Sequence, residues 1–564
     1  MTLLVNDPTT FVAESLRAFC DVNGDRIVPA PGGIVRRARR SGKVVVVTGG
    51  GSGHYPAFVG WVGRGFVDAA VCGNIFASPS EQQILDVTRL ADQGGGILFV
   101  PINYAGDILH FGAAQEELRR EGLDVRTVVV TDDIASGPPE TPEVRRGIAG
   151  SLVVLKVVGA TAERGGSLDE VERIARAATL ATRTFGVAFS GCTLPGAQGP
   201  LFTVPRGRMG VGMGIHGEPG IAEQEVGTAA EVADVLVDGL LAERPPKAGQ
   251  RLAVVVNGLG GTKYDELHLV FARVRERLEG LGMQLVAPLV GEYMTSLDMA
   301  GLSVSITYLD PELEDLWLDP VDSVAFARPL LEPEEEPAPE PPMDRRREAS
   351  VPVGTPESNR AARYIVERLA AASVSIAAAE DELGRIDAIA GDGDHGRGMV
   401  TGVKAALAAA RRAVAAGAGA GTALRLAGER WSMVAGGTSG ALWGAGLAAA
   451  GAVVGDIEAP GPATVAASVS AFALAILARG GAETGDKTMV DAIVPFAAAL
   501  RSGVESGGDL PEAWRAATAE ASRAAADTAA LSPRVGRARI HGARSVGTPD
   551  AGAVSFAIVV TAAG

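Results

Sequence analysis

The hydrophobic pattern changes period across one proline-rich, charge-blocked stretch, L-E-P-E-E-E-P-A-P-E-P-P-M-D-R-R-R-E at residues 331–348. A stretch of this composition has little to bury and reads as an extended, solvated linker. Before it, short Val/Ile-rich runs alternate with helical spacing, at residues 44–47, 97–100, 128–130, 152–157, 252–256 and 303–308. Runs of that length, bounded by Gly and Pro, predict buried strands of an α/β fold. After it, strand signals nearly vanish. Residues 358–386, 400–416, 463–478 and 510–528 are Ala-rich with helical spacing, and Ile365, Val366 and Leu369 mark one apolar stripe. The expected fold is multi-domain: an α/β domain over 1–330, a linker over 331–357 and an all-α domain over 358–564. The irregular, Gly-rich segment 191–219 separates two expected α/β subdomains, about 1–185 and 186–330.

Charge and cysteine usage exclude several classes. A formal net charge of −16 leaves no basic face of the kind nucleic acids require. Cys20, Cys72 and Cys192 lack metal-ligand spacing and are too few for a disulfide scaffold, so they read as buried thiols. The beginning, MTLLVNDPTTF, lacks the basic start and long apolar run of a signal peptide, and the expected location is the cytoplasm. Residues 431–455 are uncharged and long enough to span a bilayer, but G-G-T-S-G interrupts them early. A buried helix entered through a Gly-rich turn is expected there, with no membrane partner.

Four connections in the helical half carry chemistry. D-A-I-A-G-D-G-D-H-G places Asp387, Asp392 and Asp394 in one short turn, with Gly391, Gly393 and Gly396 allowing it to close tightly. Three carboxylates so close repel one another unless a cation sits among them, and a hard cation such as Mg2+ takes oxygen ligands. S-M-V-A-G-G-T-S-G-A-L (432–442) offers backbone amides at Gly436 and Gly437 and hydroxyls at Thr438 and Ser439. A helix start of this kind attracts phosphate through its dipole and unpaired N–H groups. G-G-A-E-T-G-D-K-T-M-V-D (480–491) is a second such loop, whose Met489 can pack on a purine face or simply fill core. The last, G-R-A-R-I-H-G-A-R-S-V-G-T-P-D-A-G-A (536–553), holds Arg537, suited to developing phosphoryl charge. Metal ligands, amide nests, hydroxyls and a guanidinium are the equipment of phosphoryl transfer, which is mostly positioning and charge neutralisation. No G-x-x-x-x-G-K-[ST] occurs, so a P-loop is excluded.

The α/β half offers V-V-V-V-T-G-G-G-S-G-H-Y-P-A-F (44–58), where a strand signal runs into glycines and His54. Its spacing departs from the dinucleotide fingerprint; a true G-x-G-x-x-G at Gly212, Gly214 and Gly217 has no clear strand before it. Both leave the alternative of a Gly loop that approaches a small ligand closely, with His54 at its rim. N-Y-A-G-D-I-L-H-F-G (103–112) places Asp107 past a strand end, the usual location of α/β ligand sites. G-M-G-I-H-G-E-P-G (212–220) presents His216 on a glycine-flanked loop, as a structural residue or as base or nucleophile beside a carboxylate.

Taken in order, these motifs resemble the fused dihydroxyacetone kinases over nearly the whole chain apart from the linker. G-G-G-S-G-H, F-A-S-P-S (76–80), N-Y-x-G-D, G-M-G-I-H-x-E-P-G and G-E-Y-M-T-S-L-D-M-A-G (291–301) are similar to the substrate domain of that family. G-D-G-D-x-G, G-G-T-S-G-A-L, G-D-K-T-M and G-R-A…P-D-x-G-A are similar to its nucleotide domain, an α-helical barrel. The resemblance implies an ATP- and Mg2+-dependent kinase, expected as a homodimer, that phosphorylates a terminal hydroxyl of a short-chain ketose. It implies that His216 attacks the ketone to form a hemiaminal, selecting ketones over glycerol-like alcohols. Asp107 would deprotonate the hydroxyl, His54 would hydrogen-bond the substrate, and Gly51, Ser52 and Gly53 would line its pocket. Asp387, Asp392 and Asp394 would hold Mg2+. His395, Gly396, Arg397, Thr438, Ser439, Gly480, Thr488, Met489, Arg537, Asp550, Ala551 and Gly552 would contact ATP.

The chain departs from the family pattern at four positions. Ile102 stands where lysine is usual before N-Y-x-G-D, Tyr55 where an acid is usual, Phe58 lies in the same altered loop, and His110 replaces asparagine. A lost pocket cation and added aromatic bulk point to a four-carbon ketose such as erythrulose, as in the erythrulose kinase branch. Alternatives are an FAD-cyclising lyase built on the same nucleotide domain, a non-catalytic ketose sensor, and a form using bound ADP with a phosphorylated protein donor.

Overall fold

The computed structural model describes residues 2, 4–245, 247–329, 351–389, 391–435, 437–535 and 542–564. The chain divides into two compact units, Met1–Glu336 and Pro337–Gly564. Most of the expected linker lies outside the described residues, and its last two residues already belong to the helix Pro356–Ala378.

The first unit contains two larger sheets. One has six strands in the order Ile27–Ala30, Gly33–Arg36, Ala69–Ile75, Val45–Ser52, Ile97–Phe99 and Val125–Thr127. Its last four strands run parallel. Val45, Val46 and Val47 are fully buried between the two faces, which is why this strand reads as an unbroken apolar run. Burial of each such side chain stabilises the fold by about 1.5–3 kcal/mol. The second sheet is built on the fully buried strand Gly301–Leu309, paired antiparallel to Thr182–Ala188 on one side and Arg251–Gly258 on the other.

Two strand expectations fail. Residues 152–157 lie in the helix Ser151–Glu163, whose residues from Ser151 through Ala162 are all buried. A helix buried on every side shows no amphipathic period, so its apolar run is indistinguishable from a buried strand. The run 128–130 follows the strand Val125–Thr127 rather than extending it, and Val130 keeps a single bridge to Ile102. A strand does precede the G-x-G-x-x-G match, Arg208–Val211, contrary to expectation. It leads into a return strand, Ala222–Glu225, not a helix, so the dinucleotide reading has no structural support.

The second unit is helical in every described regular element. Residues 358–386, expected as one helical stretch, form two helices, Pro356–Ala378 and Glu380–Asp387, sharing Ala379 as a junction. The helices Ala420–Ala435, Gly437–Val454, Pro462–Gly480, Val490–Glu505 and Ala551–Ala562 pack around an aromatic core. There Trp431 and Trp443 stack at 4.6 Å, and Phe472, Phe496 and Phe556 complete the cluster. These rings border an apolar cavity of about 530 Å³. Two helices, Gly437–Val454 and Pro462–Gly480, are long and apolar enough to cross a membrane by length and composition.

Candidate active site

In the first unit, chemistry gathers at the carboxyl ends of the parallel strands, where helices leave loop ends free for ligands. The strand Val45–Ser52 ends with a register shift at Gly51/Ser52, and the chain then turns through Gly53 to His54. Gly53 has φ +102°, and a Cβ there would lie 2.8 Å from the Phe76 ring, so a larger residue is excluded on both counts. Phe76 stacks on His54 at 4.9 Å between ring centroids. The loop carrying Phe76 is fixed where Ser80 caps the helix Glu81–Ala91 in a capping box with Gln83.

His54 is buried, and its Nδ1 lies 2.7 Å from the Thr295 carbonyl oxygen. A carbonyl only accepts, so Nδ1 carries the proton and Nε2 is left as an acceptor. That Nε2 lies 3.0 Å from Nε2 of His216. His216 Nδ1 in turn lies 3.0 Å from Glu218 Oε1, while the His216 amide donates to Glu218 Oε2 at 3.0 Å. Burial alone would raise the Glu218 carboxyl, but the His216 bonds and charge outweigh it and hold it at about 2. The contacts thus assign both His216 ring nitrogens as donors, one to a carboxylate and one to His54. Burial, with the neighbouring His216 charge, pushes His54 down to about 3, which keeps its Nε2 unprotonated and free to accept.

Phe76, Tyr104 and His54 stand edge-on to the His216 ring at 4.8–5.0 Å and fix its orientation. Asp107, in the first turn of the helix Ala105–Arg120, is buried with Oδ1 unpartnered. Burial pushes its carboxyl up to about 6, against an opposing Ser78 hydrogen bond and the His216 charge. A buried carboxyl with an open oxygen beside an imidazole is the constellation of a general base.

Gly51, Ser52 and Gly53 line a cavity of about 690 Å³ bounded by Phe19, Tyr55 and Phe58; His54, Asp107 and His216 are not on its wall. Ser52 Oγ donates to the Gly73 carbonyl at 2.7 Å, a tie between strands. Phe58 is core: it is buried, and a Cβ at Gly50 would lie 2.6 Å from its ring. Its ring thus packs on the sheet at Gly50 and also borders that cavity. Ile102 is likewise buried, and Tyr55 is 55% exposed.

In the second unit a cavity of about 380 Å³ collects Asp387, Asp392, Asp394, His395, Thr438, Ser439, Gly480, Thr488, Met489, Asp550, Ala551 and Gly552. Helices beginning at His395, Gly437, Val490 and Ala551 start at or beside its wall, so several N-terminal dipoles favour an anion there. The three aspartates each bring a carboxylate oxygen within 4.8 Å of the others. That spacing, and an all-oxygen donor set, fits a hard divalent cation. Asp387 Oδ2 also accepts from the Gly393 amide at 2.9 Å, fixing the turn. Asp491 accepts from the amides of Gly485 and Thr488 and holds the second Gly/Thr loop. Asp550 caps the helix Ala551–Ala562, and burial pushes its carboxyl up to about 6.

Two expected contacts are absent from this wall. Gly396 is buried, and a Cβ there would meet the Glu380 carbonyl at 2.1 Å, so it serves helix packing. Arg397 is exposed, because the helical period turns His395 and Gly398 inward. Arg537 lies outside the described residues. Residue reasoning missed Glu218, Tyr104, Thr295 and Lys487. All four lie inside motifs already singled out, and the i, i+2 spacing of His216 and Glu218 was the available signal. Lys487 is buried, and its Nζ donates to the Leu531 and Ser545 carbonyls, at 3.1 and 2.6 Å.

Residues 17–325 match the Dak1 domain and residues 389–564 the DAK2 domain. The chain is 50% identical to L-erythrulose 1-kinase of Mycolicibacterium smegmatis, covering 100% of this chain and 99% of that protein. It is 49% identical to D-erythrulose kinase of the same organism, over 99% and 97% of the two chains. Among solved structures, the dihydroxyacetone kinase from C. freundii in complex with AMP-PNP and Mg2+ superposes with a TM-score of 0.59 at 31% identity, covering 100% and 99% of the chains.

Proposed function

Because this chain belongs to the family of fused dihydroxyacetone kinases, with Dak1 and DAK2 domains in one polypeptide, we propose that it phosphorylates a short-chain ketose from ATP, and that erythrulose is its substrate. The observation that carries the reading is the His54–His216–Glu218 line, which makes a nucleophile of an imidazole held against a carboxylate. Similarity to L- and D-erythrulose kinases at nearly equal identity supports the four-carbon ketose and does not rank the enantiomers. The buried, uncharged Ile102, where dihydroxyacetone kinases usually carry lysine, supports the same choice.

Capture proceeds through the shared proton. His54 Nε2 takes the Nε2 proton of His216, and the freed lone pair attacks the ketone carbon. The C=O π electrons move to oxygen, which takes the proton back from His54. The product is a hemiaminal bearing a hydroxyl, with its imidazolium charge facing Glu218. An alcohol offers no electrophilic carbon and is not held. Asp107, ionised above about pH 6, then accepts the proton of the terminal hydroxyl as that oxygen attacks phosphorus.

Asp387, Asp392 and Asp394 would hold Mg2+, which neutralises phosphate charge when bound. Thr438, Ser439 and the amides at the start of the helix Ala551–Ala562 orient the phosphates. Gly480, Thr488 and Met489 line the remainder of the same cavity, where Met489 offers a purine face a soft partner.

The test is an ATP-dependent assay over dihydroxyacetone and both erythrulose enantiomers, repeated with His216→Ala and Asp392→Ala. Both variants are expected to be nearly inactive. A fully active His216→Ala removes the capture step, and a large kcat/KM preference for dihydroxyacetone removes erythrulose as the substrate.

A further inference from the structure

Behind Glu218 lies a second pair of charges that the reaction itself does not use. Arg146 Nη1 lies 3.9 Å from Glu218 Oε2, whereas the His216 ring meets the other oxygen, Oε1. The same guanidinium donates from Nε and Nη2 to Asp133 Oδ2 at 2.9 and 2.8 Å, and Nη2 lies 3.4 Å from the Gly212 carbonyl oxygen. Backbone bonds tie the two segments together: the Asp133 amide donates to the Arg146 carbonyl, and the Arg146 amide to Ser136 Oγ. Gly214 leaves the space this requires, since a Cβ there would lie 2.1 Å from Glu218 Oε2 and 2.6 Å from Arg146 Nη1.

We propose that Arg146, held by Asp133, is a positioning residue that weakens the grip of Glu218 on the His216 proton and so lets His216 act as a nucleophile. An unopposed carboxylate 3.0 Å from Nδ1 stabilises the imidazolium and works against proton transfer to His54. A cation near the other oxygen of that carboxylate offsets part of its field. Asp133 is 2% exposed at its side chain and keeps the guanidinium from swinging into the site or out to solvent. Burial pushes the Asp133 carboxyl up to about 6, and Arg146 opposes that shift. If Arg146 is removed and Asp133 takes a proton, the positive end of a dipole facing Glu218 disappears. If Asp133 stays ionised, a bare anion is left. Both outcomes hold the proton on His216 more tightly, so the sign of the effect does not depend on which occurs.

The titratable groups facing His216 are His54, Tyr104, Asp107 and Glu218, with Phe76 as the uncharged wall. Tyr104 is kept neutral by burial, with the Glu218 charge acting in the same direction. Besides the His216 ring, Arg146 is the cation among the described residues that an ion pair joins to Glu218.

This inference rests on the reading of His216 as the capturing nucleophile, and its test is separable from that reading. The chain has 6 histidines, so selective 13C labelling at the imidazole Cε1, with His216→Ala for assignment, follows the His216 titration without turnover. In Arg146→Gln the loss of the His216 proton is expected to move to higher pH, by on the order of one unit for the removal of one nearby charge. Arg146→Lys should restore at least half of that shift, while a folded Arg146→Gln should also capture ketose more slowly. A His216 titration unchanged in folded Arg146→Gln, or shifted equally in Arg146→Lys, overturns the proposal. Absence of ketose capture by the unsubstituted protein instead sinks the underlying mechanism and leaves the titration result standing.

Discussion

Nε2 of His54 lies 3.0 Å from Nε2 of His216, and the Thr295 carbonyl leaves His54 no way to face His216 except as an acceptor. The proton between the two rings is therefore the one that must move before His216 can attack a carbonyl. His54→Ala removes its acceptor. Capture of ketose is expected to slow by 10²- to 10⁴-fold, the usual range for a positioned acid–base group. Stopped-flow mixing with ketose reads this directly.

Asp107 gives a prediction in which activity and stability oppose each other. Its carboxyl sits at about 6 against an ordinary 3.8, chiefly through burial. The folded state favours the neutral form, so the associated stability is fully present below about pH 4 and is lost as pH rises through about 6. Asp107→Asn should therefore be more stable than the unsubstituted protein at pH 7.5, by on the order of 2–3 kcal/mol, with the gap closing near pH 4. Its kcat should fall by at least about 100-fold. Thermal unfolding across pH, beside steady-state kinetics, checks both; a variant destabilised at pH 7.5 contradicts the account.

Gly53→Ala places a methyl group against the Phe76 ring at φ +102°. A loss of about 1–2 kcal/mol in stability is expected from the backbone alone. Displacing Phe76 also removes a wall of the His54 and His216 packing, so kcat/KM should fall beyond what the loss of folded protein explains. A variant with unchanged kcat/KM per folded molecule would show that the stacked ring is dispensable.

Asp392→Ala removes one oxygen ligand from the cluster at 387–394, and Asp394→Asn removes the negative charge of another. Affinity for Mg2+ with ATP should weaken at least 10-fold by calorimetry, while ketose capture in the first unit is unaffected. A chelator should reproduce that split, stopping turnover and sparing capture. Loss of capture in these variants would contradict the assignment of separate roles.

Much of this was legible in the residues for a physical reason: charged and glycine-rich loops must lie where strands and helices end, and motif spacing survives folding unchanged. The aspartate turn and the placement of Asp107 past a strand end needed no coordinates. Residues 152–157 were misread because a helix buried on all sides has no period. Gly396 and Arg397 came from the family resemblance, and the helical period that turns His395 and Gly398 to the cavity leaves both off its wall. Arg146 was invisible because its partners, Asp133 and Glu218, are 13 and 72 positions away in the chain.

Carbon NMR of the full-length protein mixed with ketose labelled at the carbonyl carbon tests the covalent step most directly. A tetrahedral hemiaminal signal should replace the carbonyl resonance in the unsubstituted protein and vanish in His216→Ala. A bound ketose that keeps its carbonyl signal, or a tetrahedral signal that survives His216→Ala, would contradict it.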